Sequence, residues 1–268
     1  MPTRVAAGRH TAAVTTPARH PYLDHPGPIA FAHRGGAADG LENTMTAFRR
    51  AVDAGYRYIE TDVHTTADGV LVAFHDATLD RVTDGTGRIA DLPWSEVRRA
   101  RVAEREPVPL FEELLETFPE VRWNVDVKAE SALEPLVDLI VRTGAFHRVC
   151  VGSFSEARVA RAQRLAGPDL ATSLGTRGVL GLRLRSWGLR TRLRQSAVAA
   201  QVPVERSGVR VVDHRFVRAA HAQGLQVHVW TVDDPEQMHR LLDLGVDGIM
   251  TDHIETLRAV LQQRGSWA

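Results

Sequence analysis

The chain has 268 residues, of which 44% are hydrophobic and 25% are charged, and this is the composition of a globular protein with a sizeable core. Lysine plus arginine equals aspartate plus glutamate, at 33 each, which excludes the overall positive field of a general nucleic-acid-binding protein. The single cysteine, Cys150, cannot form an internal disulfide, and its apolar surroundings predict a buried side chain in a reducing compartment.

The first 28 residues mix proline, threonine, alanine, histidine and arginine without periodicity. This pattern predicts a flexible N-terminal tail at 1–28, followed by a single domain at 29–268. The tail lacks the apolar segment of a secretory signal, and no run in the chain approaches the ~18 apolar residues that span a bilayer. The sequence therefore predicts a cytoplasmic protein.

Beyond the tail, short runs with strand composition alternate with amphipathic helical stretches. The predicted strands are 29–32, 58–63, 70–74, 121–127, 149–152, 170–174, 197–202, 226–231 and 248–251. The clearest predicted helices are 43–54, 133–142, 155–165 and 235–244, with a closing helix that ends at 262. Such alternation, without a second cluster of turns, favours a closed (β/α)₈ TIM barrel over an open doubly wound sheet.

Helix boundary signals support these elements. Asn43 precedes the first helix and is interpreted as its N-cap, and Pro235 stands at the first position of a later helix. Glycines follow four helical runs where a C-cap residue belongs, at Gly55, Gly144, Gly224 and Gly245.

Polar residues stand at the ends of the predicted strands, which is where a TIM barrel carries its catalytic groups. Glu60 and Asp62 lie two apart on one strand and therefore share a face, as do Asp126 and Lys128 on another. Three carboxylates from two strands make a hard-oxygen site suited to Mg²⁺ or Ca²⁺, and the lack of a Cys/His cluster argues against structural zinc.

Two histidines and two cations complete this group. His33 and His75 follow predicted strands and titrate near neutral pH, so they can give and take a proton. Arg34 and Lys128 supply positive charge. Lys128 is the only lysine of the chain, which has 32 arginines. A carboxylate-bound metal, two cations and two acid/base groups together predict a site that cleaves a phosphate diester.

Each of these residues also has a purely structural explanation. A carboxylate at a strand end can cap the next helix, a histidine can be a satisfied core group, and Trp230 suits a core as well as a pocket wall. A structural role does not explain why so many charges coincide at strand ends.

The chain resembles the glycerophosphodiester phosphodiesterase family over nearly its whole length from residue 28. The similarity lies in a series of motifs, His33-Arg34-Gly35, Glu42-Asn43-Thr44, Glu60-Thr61-Asp62-Val63, Thr66 to Gly69, His75-Asp76, Leu79-Asp80-Arg81, Asp84-Gly85-Thr86-Gly87, Trp123 to Lys128, Trp230-Thr231-Val232 and Gly248 to Asp252.

The resemblance implies a TIM-barrel hydrolase that uses one divalent cation to cleave glycerophosphodiesters to glycerol 3-phosphate and an alcohol. By position, the acid/base pair would be His33 and His75, the metal ligands Glu60, Asp62 and Asp126, and the substrate-binding residues Arg34, Lys128 and Trp230. The family commonly has glutamate where this chain has Asp126, which is one methylene shorter.

Alternatives stay open at this point. The attacking group can be water or a neighbouring glycerol hydroxyl that forms a cyclic phosphate. A phospholipase D-like relative would cleave lysophospholipid or sphingolipid headgroups by the second route. A non-catalytic phosphodiester-binding barrel is a third possibility, against which the presence of both histidines argues because binding needs no proton transfer.

Residues 170–204 contain no aspartate or glutamate but carry six arginines among leucines and one tryptophan. One interpretation is a solvated helix or loop on the outside of the barrel. The other is a lid or interfacial segment at 177–194 that makes peripheral contact with anionic lipid headgroups.

Overall fold

The computed structural model describes residues 20–192 and 196–268. Its strands are β1 (Ile29–His33), β2 (Tyr58–Thr65), β3 (Leu71–Ala73), β4 (Arg101–Val102), β5 (Glu106–Pro107), β6 (Arg122–Val127), β7 (Val149–Gly152), β8 (Ala171–Thr172), β9 (Ala199–Pro203), β10 (Glu205–Arg206), β11 (Val209–Arg210), β12 (Gln226–Trp230) and β13 (Gly248–Thr251). Its α-helices are α1 (Met45–Asp53), α2 (Trp94–Val97), α3 (Phe111–Thr117), α4 (Leu133–Thr143), α5 (Glu156–Ala166), α6 (Thr176–Ser186), α7 (His214–His221), α8 (Pro235–Asp243) and α9 (Ile254–Gln263).

Eight parallel strands form the predicted TIM barrel. They follow one another in the order β8, β7, β6, β2, β1, β13, β12 and β9. A parallel bridge between Ser173 and Ala199 joins the two ends of this order, so the ring is nearly closed. Each strand is followed by a helix that packs outside the ring, and the main hydrophobic core fills the layer between strands and helices.

The first helix begins at Met45, two residues later than predicted. Thr44 is its N-cap, because its side chain accepts a hydrogen bond from the backbone N–H of Ala47. Asn43 instead adopts a left-handed φ of 55° and turns its side chain into the barrel. The N-cap interpretation of Asn43 is therefore wrong.

The predicted strand at 70–74 is not part of the ring. β3 runs antiparallel to β2 and pairs with its far end, so the chain leaves the barrel at Thr65 and returns toward it. Residues 66–110 form an insertion between β2 and α3, with a small hydrophobic core of its own. The insertion covers one side of the barrel mouth. It also carries His75, whose side chain lies at this mouth.

Residues 20–28 differ from the predicted flexible tail. A short 3₁₀ helix at Pro21–Leu23 places the side chains of Tyr22 and Leu23 inside the lower end of the barrel, where both are buried. Tyr22 packs edge-on against Tyr58, with ring centroids 5.5 Å apart. The burial of these side chains orders the segment, so the tail prediction is wrong for 20–28, while 1–19 lie outside the described residues.

Three smaller predictions concern the single cysteine, the helix ends and the membrane. Cys150 lies on β7 and is fully buried, as expected. The four predicted C-cap glycines all have positive φ. In the described part of the chain, no helix is both long enough and apolar enough to cross a bilayer.

Candidate active site

A cavity of about 520 Å³ opens at the ends of the barrel strands. All eight residues predicted from the sequence line it, namely His33, Arg34, Glu60, Asp62, His75, Asp126, Lys128 and Trp230. The charged members come from β1, β2 and β6, which are neighbours in the ring, and from the insertion. The structure therefore brings the charged members of the predicted set together in one half of the mouth.

The turn after β1 positions the first two of these residues. The backbone has positive φ at Arg34 and Gly35, so the chain reverses as soon as it leaves the strand. A Cβ at Gly35 would lie 2.9 Å from side-chain atoms of Ala47 and Phe48, which is closer than packed atoms approach. Glycine at 35 thus lets α1 pack directly against the turn and hold it.

His33 is oriented by a carboxylate that the sequence analysis did not assign. Its Nδ1 lies 2.7 Å from Oδ1 of Asp252, which follows β13. A carboxylate only accepts hydrogen bonds, so Nδ1 carries the proton and Nε2 is available on the other side of the ring. Nε2 lies 3.7 Å from Oε2 of Glu60.

Glu60 and His33 influence each other's protonation. Burial and the nearby carboxylate of Asp62 raise the pKa of Glu60 above its usual range, although neighbouring cations oppose them. Burial alone would lower the pKa of His33, but the carboxylates of Glu60 and Asp252 outweigh it and raise the value. The backbone N–H of Arg34 donates to Glu60 at 3.1 Å and fixes that carboxylate.

Lys128 lies between two aspartates. Its Nζ is 2.8 Å from Oδ1 of Asp62 and 2.7 Å from Oδ2 of Asp126. Burial would lower the pKa of Lys128, but the two carboxylates raise it, so the ammonium stays charged. Asp62 and Asp126 are aligned across β2 and β6, which explains how one ammonium reaches both.

Asp62 is almost completely buried and has two further polar neighbours. Nδ2 of Asn43 donates to its Oδ2 at 3.1 Å, and Oδ1 of Asn43 accepts from the hydroxyl of Thr61. Nε of Arg34 lies 3.4 Å from the same Oδ2. This contact lacks hydrogen-bond geometry, so Nε of Arg34 is a buried donor without a hydrogen bond among the described residues.

His75 has the same arrangement as His33. Its Nδ1 lies 2.5 Å from Oδ1 of Asp76, which again leaves Nε2 available. Arg81 donates to Asp76, and its hydrogen bonds hold the pKa of that carboxyl at about 2. Arg81 also contacts Glu42 at 2.7 Å, and Glu42 accepts from Arg34 at 3.0 Å. A chain of ion pairs thus connects the insertion to the turn after β1.

The three predicted metal ligands lie in the cavity without a metal-binding arrangement. Glu60, Asp62 and Asp126 offer buried oxygen atoms of the kind that hard divalent cations prefer. Within the described ranges, however, no group of three such side chains is arranged to hold a metal ion. Asp62 and Asp126 contact Lys128 instead. The donor chemistry fits a cation, and the ammonium of Lys128 offsets part of the negative charge of the carboxylates.

The other half of the mouth is apolar. It is built by the segments that follow β7, β8, β9 and β12, which are also neighbours in the ring. Trp230 lies here, edge-on to Phe154 with centroids 5.8 Å apart. Leu180 and Trp187 from the α6 region, together with Val209, continue the wall.

Several residues of this site were missed by sequence reasoning. Asp252 stands at a strand end, which was the signal for it, but an acidic residue before a helix is also common as a cap. Asn43 was missed for the same reason, because an asparagine before a helix is also common as a cap. Glu42 and Arg81 lie in motifs that the chain shares with its family, but the sequence gives neither a role, because only the fold brings them together.

The sequence profile of the glycerophosphoryl diester phosphodiesterase family matches residues 33–256. The chain belongs to this family. Its members are phosphoric diester hydrolases, and this chain is an enzyme of that class. A non-catalytic binding barrel, the third possibility above, is thereby set aside.

Curated relatives agree with this assignment. The probable glycerophosphodiester phosphodiesterase 2 of Mycobacterium tuberculosis is 45% identical, over 92% of this chain and 95% of that protein. The glycerophosphodiester phosphodiesterase of Caldanaerobacter subterraneus is 30% identical, over 88% of this chain and 99% of the relative. Lysophospholipase D GDPD1 of Rattus norvegicus is 27% identical, over 85% and 84% of the two chains.

Solved structures share the fold. A putative glycerophosphoryl diester phosphodiesterase from Silicibacter pomeroyi superposes with a TM-score of 0.77 at 23% identity, over 92% of this chain and 98% of that one. A phosphodiesterase from Oleispira antarctica, solved with its product sn-glycerol-3-phosphate, gives a TM-score of 0.73 at 21% identity, over 88% and 97%.

Proposed function

We propose that this enzyme hydrolyses glycerophosphodiesters to glycerol 3-phosphate and an alcohol by histidine acid/base catalysis. The observation that carries the proposal is the matched environment of His33 and His75. Both line one cavity, and each has its Nδ1 on a carboxylate and its Nε2 available. Two groups that can exchange a proton through Nε2 are what cleavage of a phosphate diester requires.

The two imidazoles would have complementary tasks. One accepts the proton of the attacking hydroxyl as the new P–O bond forms. The other donates a proton to the departing alkoxide as the second P–O bond breaks, so protons and electron pairs balance. Attack by water and attack by the glycerol hydroxyl both satisfy this scheme.

Arg34 and Lys128 would bind the phosphate. The buried Nε–H of Arg34 has no hydrogen bond among the described residues and is suited to a phosphoryl oxygen. Lys128 contacts Asp62 and Asp126 and offsets part of their negative charge, and its ammonium would supply a point charge beside the reacting centre. Trp230 would pack against the alcohol portion from the apolar side of the cavity.

A single divalent cation, Mg²⁺ or Ca²⁺, would be held by Glu60, Asp62 and Asp126. When bound, such a cation acts as a Lewis acid toward a phosphoryl oxygen. The raised pKa of Glu60, caused by burial and by Asp62, supports this proposal because added positive charge would relieve it. Binding would require Lys128 to release Asp62 or Asp126.

The central experiment measures glycerol 3-phosphate released from several glycerophosphodiesters. We expect His33→Ala and His75→Ala each to lower kcat by about 10²-fold or more, the usual contribution of a general acid or base. His147→Ala and His214→Ala are controls, since both side chains are exposed and neither lines the cavity. Activity that is indifferent to both His33 and His75 would overturn the mechanism.

The cation is tested separately. A chelator should abolish turnover, Mg²⁺ or Ca²⁺ should restore it, and calorimetry should detect cation binding that is lost in Asp62→Asn. Full turnover after exhaustive chelation would remove the metal from the proposal without affecting the histidines. Phosphorus NMR of early product distinguishes a cyclic phosphate from the open product.

A second candidate activity is phospholipase D-like cleavage of lysophospholipids. The apolar half of the mouth favours it, because Phe154, Leu180 and Val209 form a wall that a free glycerol derivative does not need. We expect Leu180→Gln with Val209→Gln to lower kcat/KM for lysophosphatidylcholine and to leave that for glycerophosphocholine unchanged. An equal effect on both substrates would remove this candidate.

A further inference from the structure

Exposed apolar side chains are concentrated at the mouth of the barrel. Seven large hydrophobic residues of the described chain are strongly exposed. Four of them line the apolar side of the cavity, and a fifth, Leu189, follows Trp187 by two residues. These are Phe154 (53%), Leu180 (57%), Trp187 (52%), Leu189 (54%) and Val209 (54%). The other two, Val141 and Leu165, lie on the outer helices α4 and α5. We call the five residues the apolar rim.

Arginines surround the apolar rim. Arg177, Arg190 and Arg192 are exposed and make no ion pair with any residue in 20–192 or 196–268. Arg206, on the exposed β10–β11 hairpin, stacks on Phe154 with its guanidinium 5.9 Å from the ring centroid. Arg210 is exposed on the same hairpin. The predicted segment 177–194 extends into 193–195, which lie outside the described residues.

Few acidic groups compensate these charges. Residues 170–204 contain no aspartate or glutamate. Glu156 accepts from the backbone N–H of Gly178 in α6 at 3.3 Å. Glu205 is the exposed acid of the hairpin, and Asp213 is occupied by Arg183 at 2.8 Å. Arg183 in turn stacks on Trp187 at 4.8 Å and holds the indole at the rim. The surface therefore combines uncompensated guanidinium groups with projecting apolar side chains, although the whole chain has no net charge.

We propose that the apolar rim and its arginines are a docking surface for a bilayer that contains anionic phospholipids. Guanidinium groups bind lipid phosphates, while indole, phenyl and leucine side chains enter the boundary between headgroups and acyl chains. Exposed guanidinium groups on both the α6 segment and the β10–β11 hairpin match the phosphates of such a surface. The orientation would turn the cavity mouth toward the membrane. The proposal does not depend on the proposed reaction.

The test is co-sedimentation with vesicles. The protein should bind vesicles of phosphatidylcholine mixed with phosphatidylglycerol, bind pure phosphatidylcholine weakly, and lose binding as salt rises. Each arginine near such a surface changes partitioning about fivefold, so Arg177→Gln, Arg190→Gln and Arg192→Gln together should lower it about a hundredfold. The matched control, Arg164→Gln with Arg218→Gln and Arg240→Gln, removes three exposed arginines of other helices and should bind normally.

A matched pair of double variants tests how much the apolar side chains contribute to vesicle binding. Trp187→Ser with Leu189→Ser should lower vesicle binding at least tenfold, whereas Leu165→Ser with Val141→Ser should not, although all four side chains are about equally exposed. Hydrolysis of a water-soluble glycerophosphodiester by the triple arginine variant should equal that of the parent, which separates docking from catalysis.

Two results would overturn the proposal. One is equal partitioning of the parent, rim and control variants on anionic vesicles. The other is a lipid-free dimer, detected by light scattering, that the Trp187→Ser and Leu189→Ser variant dissociates, because the rim would then be covered by a second copy of the chain.

Discussion

At the scale of single residues, the only lysine of the chain holds the centre of the site. Lys128 reaches Asp62 and Asp126 together through one compact ammonium. A planar guanidinium is broader than an ammonium, so it would not take the same position between the two carboxylates. We expect Lys128→Arg to retain the fold and to lower kcat/KM by about 10²-fold, as a misplacement of about 1 Å can do. Steady-state kinetics beside circular dichroism measures this, and full activity would make the lone lysine a coincidence.

Asp252 is a positioning residue for His33. Asp252→Asn keeps the shape but replaces a pure acceptor by a group that can also donate, so the Nδ1 proton is no longer held. We expect kcat to fall by about 10- to 100-fold with little change in KM. The control is Asp243→Asn, whose carboxylate contacts Arg264 on an exposed surface. A rise in KM at unchanged kcat would instead assign Asp252 to substrate binding.

The location of the site residues could be predicted where their chemistry has few structural uses, and their roles stay predictions. Two histidines, a lone lysine and paired carboxylates at strand ends indicated a charged site, and the cavity contains all of them. Asn43 was assigned wrongly because an asparagine before a helix is usually its cap. The adjacent Thr44 takes that role here, which frees the amide of Asn43 to hold Asp62.

At the scale of elements, the sequence pattern predicted where strands occur but not the direction in which each strand pairs. The run 70–74 has strand composition, and His75 does lie in the cavity, but the strand is antiparallel to β2. Composition predicts an extended segment and carries no information on its direction. The parallel strands were predictable because helices separate them, whereas a short hairpin within a βα unit breaks that rule.

A second element-scale feature is an ion pair between α7 and the segment before β13. Nε2 of His221 lies 2.7 Å from Oδ2 of Asp247, and this hydrogen bond raises the pKa of His221 against the opposing effect of burial. Asp247 also accepts from the backbone of Val227 at 2.8 Å. The protonated imidazole therefore stabilises the contact between a helix and the barrel.

We expect His221→Gln to be more destabilising in acid than in base. The folded pKa is higher than the unfolded value of about 6.5, so the stabilisation is complete below the unfolded pKa and is lost as pH rises through the folded pKa. The difference in unfolding free energy from the parent should be about 1 kcal/mol near pH 5.5 and smaller at pH 9. Urea unfolding at both pH values measures it, with His214→Gln on the same helix as control. A pH-independent difference contradicts the assignment.

At the scale of the whole molecule, the barrel is closed from below by its own N-terminal segment. Tyr22 is fully buried, and its hydroxyl has no hydrogen bond among the described residues. We expect Tyr22→Ala to cost about 3–5 kcal/mol through the cavity it leaves. Tyr22→Phe should cost nothing or stabilise, because it removes an unpaired buried hydroxyl. Denaturant unfolding compares them, and a large loss in the phenylalanine variant would reveal a role for the hydroxyl.

The barrel architecture could be predicted from the sequence. The division of the cavity mouth into a charged half and an apolar half could not. Alternating strands and helices indicate a barrel, but the ring order decides which ends become neighbours. Charged strand ends on β1, β2 and β6 form one arc, and the apolar segments after β7, β8, β9 and β12 form the other. Tyr22 and Leu23 were likewise assigned to a tail because two apolar residues among prolines and histidines show no periodicity.

The insertion at 66–110 has a consequence for how the enzyme responds to heat. His33 rests on the large core of the barrel, whereas His75 directly follows Phe74 in the small core of the insertion. The backbone of Ile89, fully buried in that small core, donates to Ala77 at 3.0 Å, two residues from His75. Small cores resist temperature less than large ones, since they bury less apolar area.

Catalysis should therefore fail before the barrel melts. Ile89→Ala opens a cavity in the small core, and we expect it to shift thermal inactivation to a lower temperature than the loss of far-ultraviolet circular dichroism. Leu257→Ala in α9, a comparable cavity in the large core, should move both transitions together. Coincident transitions in the Ile89 variant would contradict this expectation. If they separate, the working temperature of the enzyme is set by its smaller hydrophobic core.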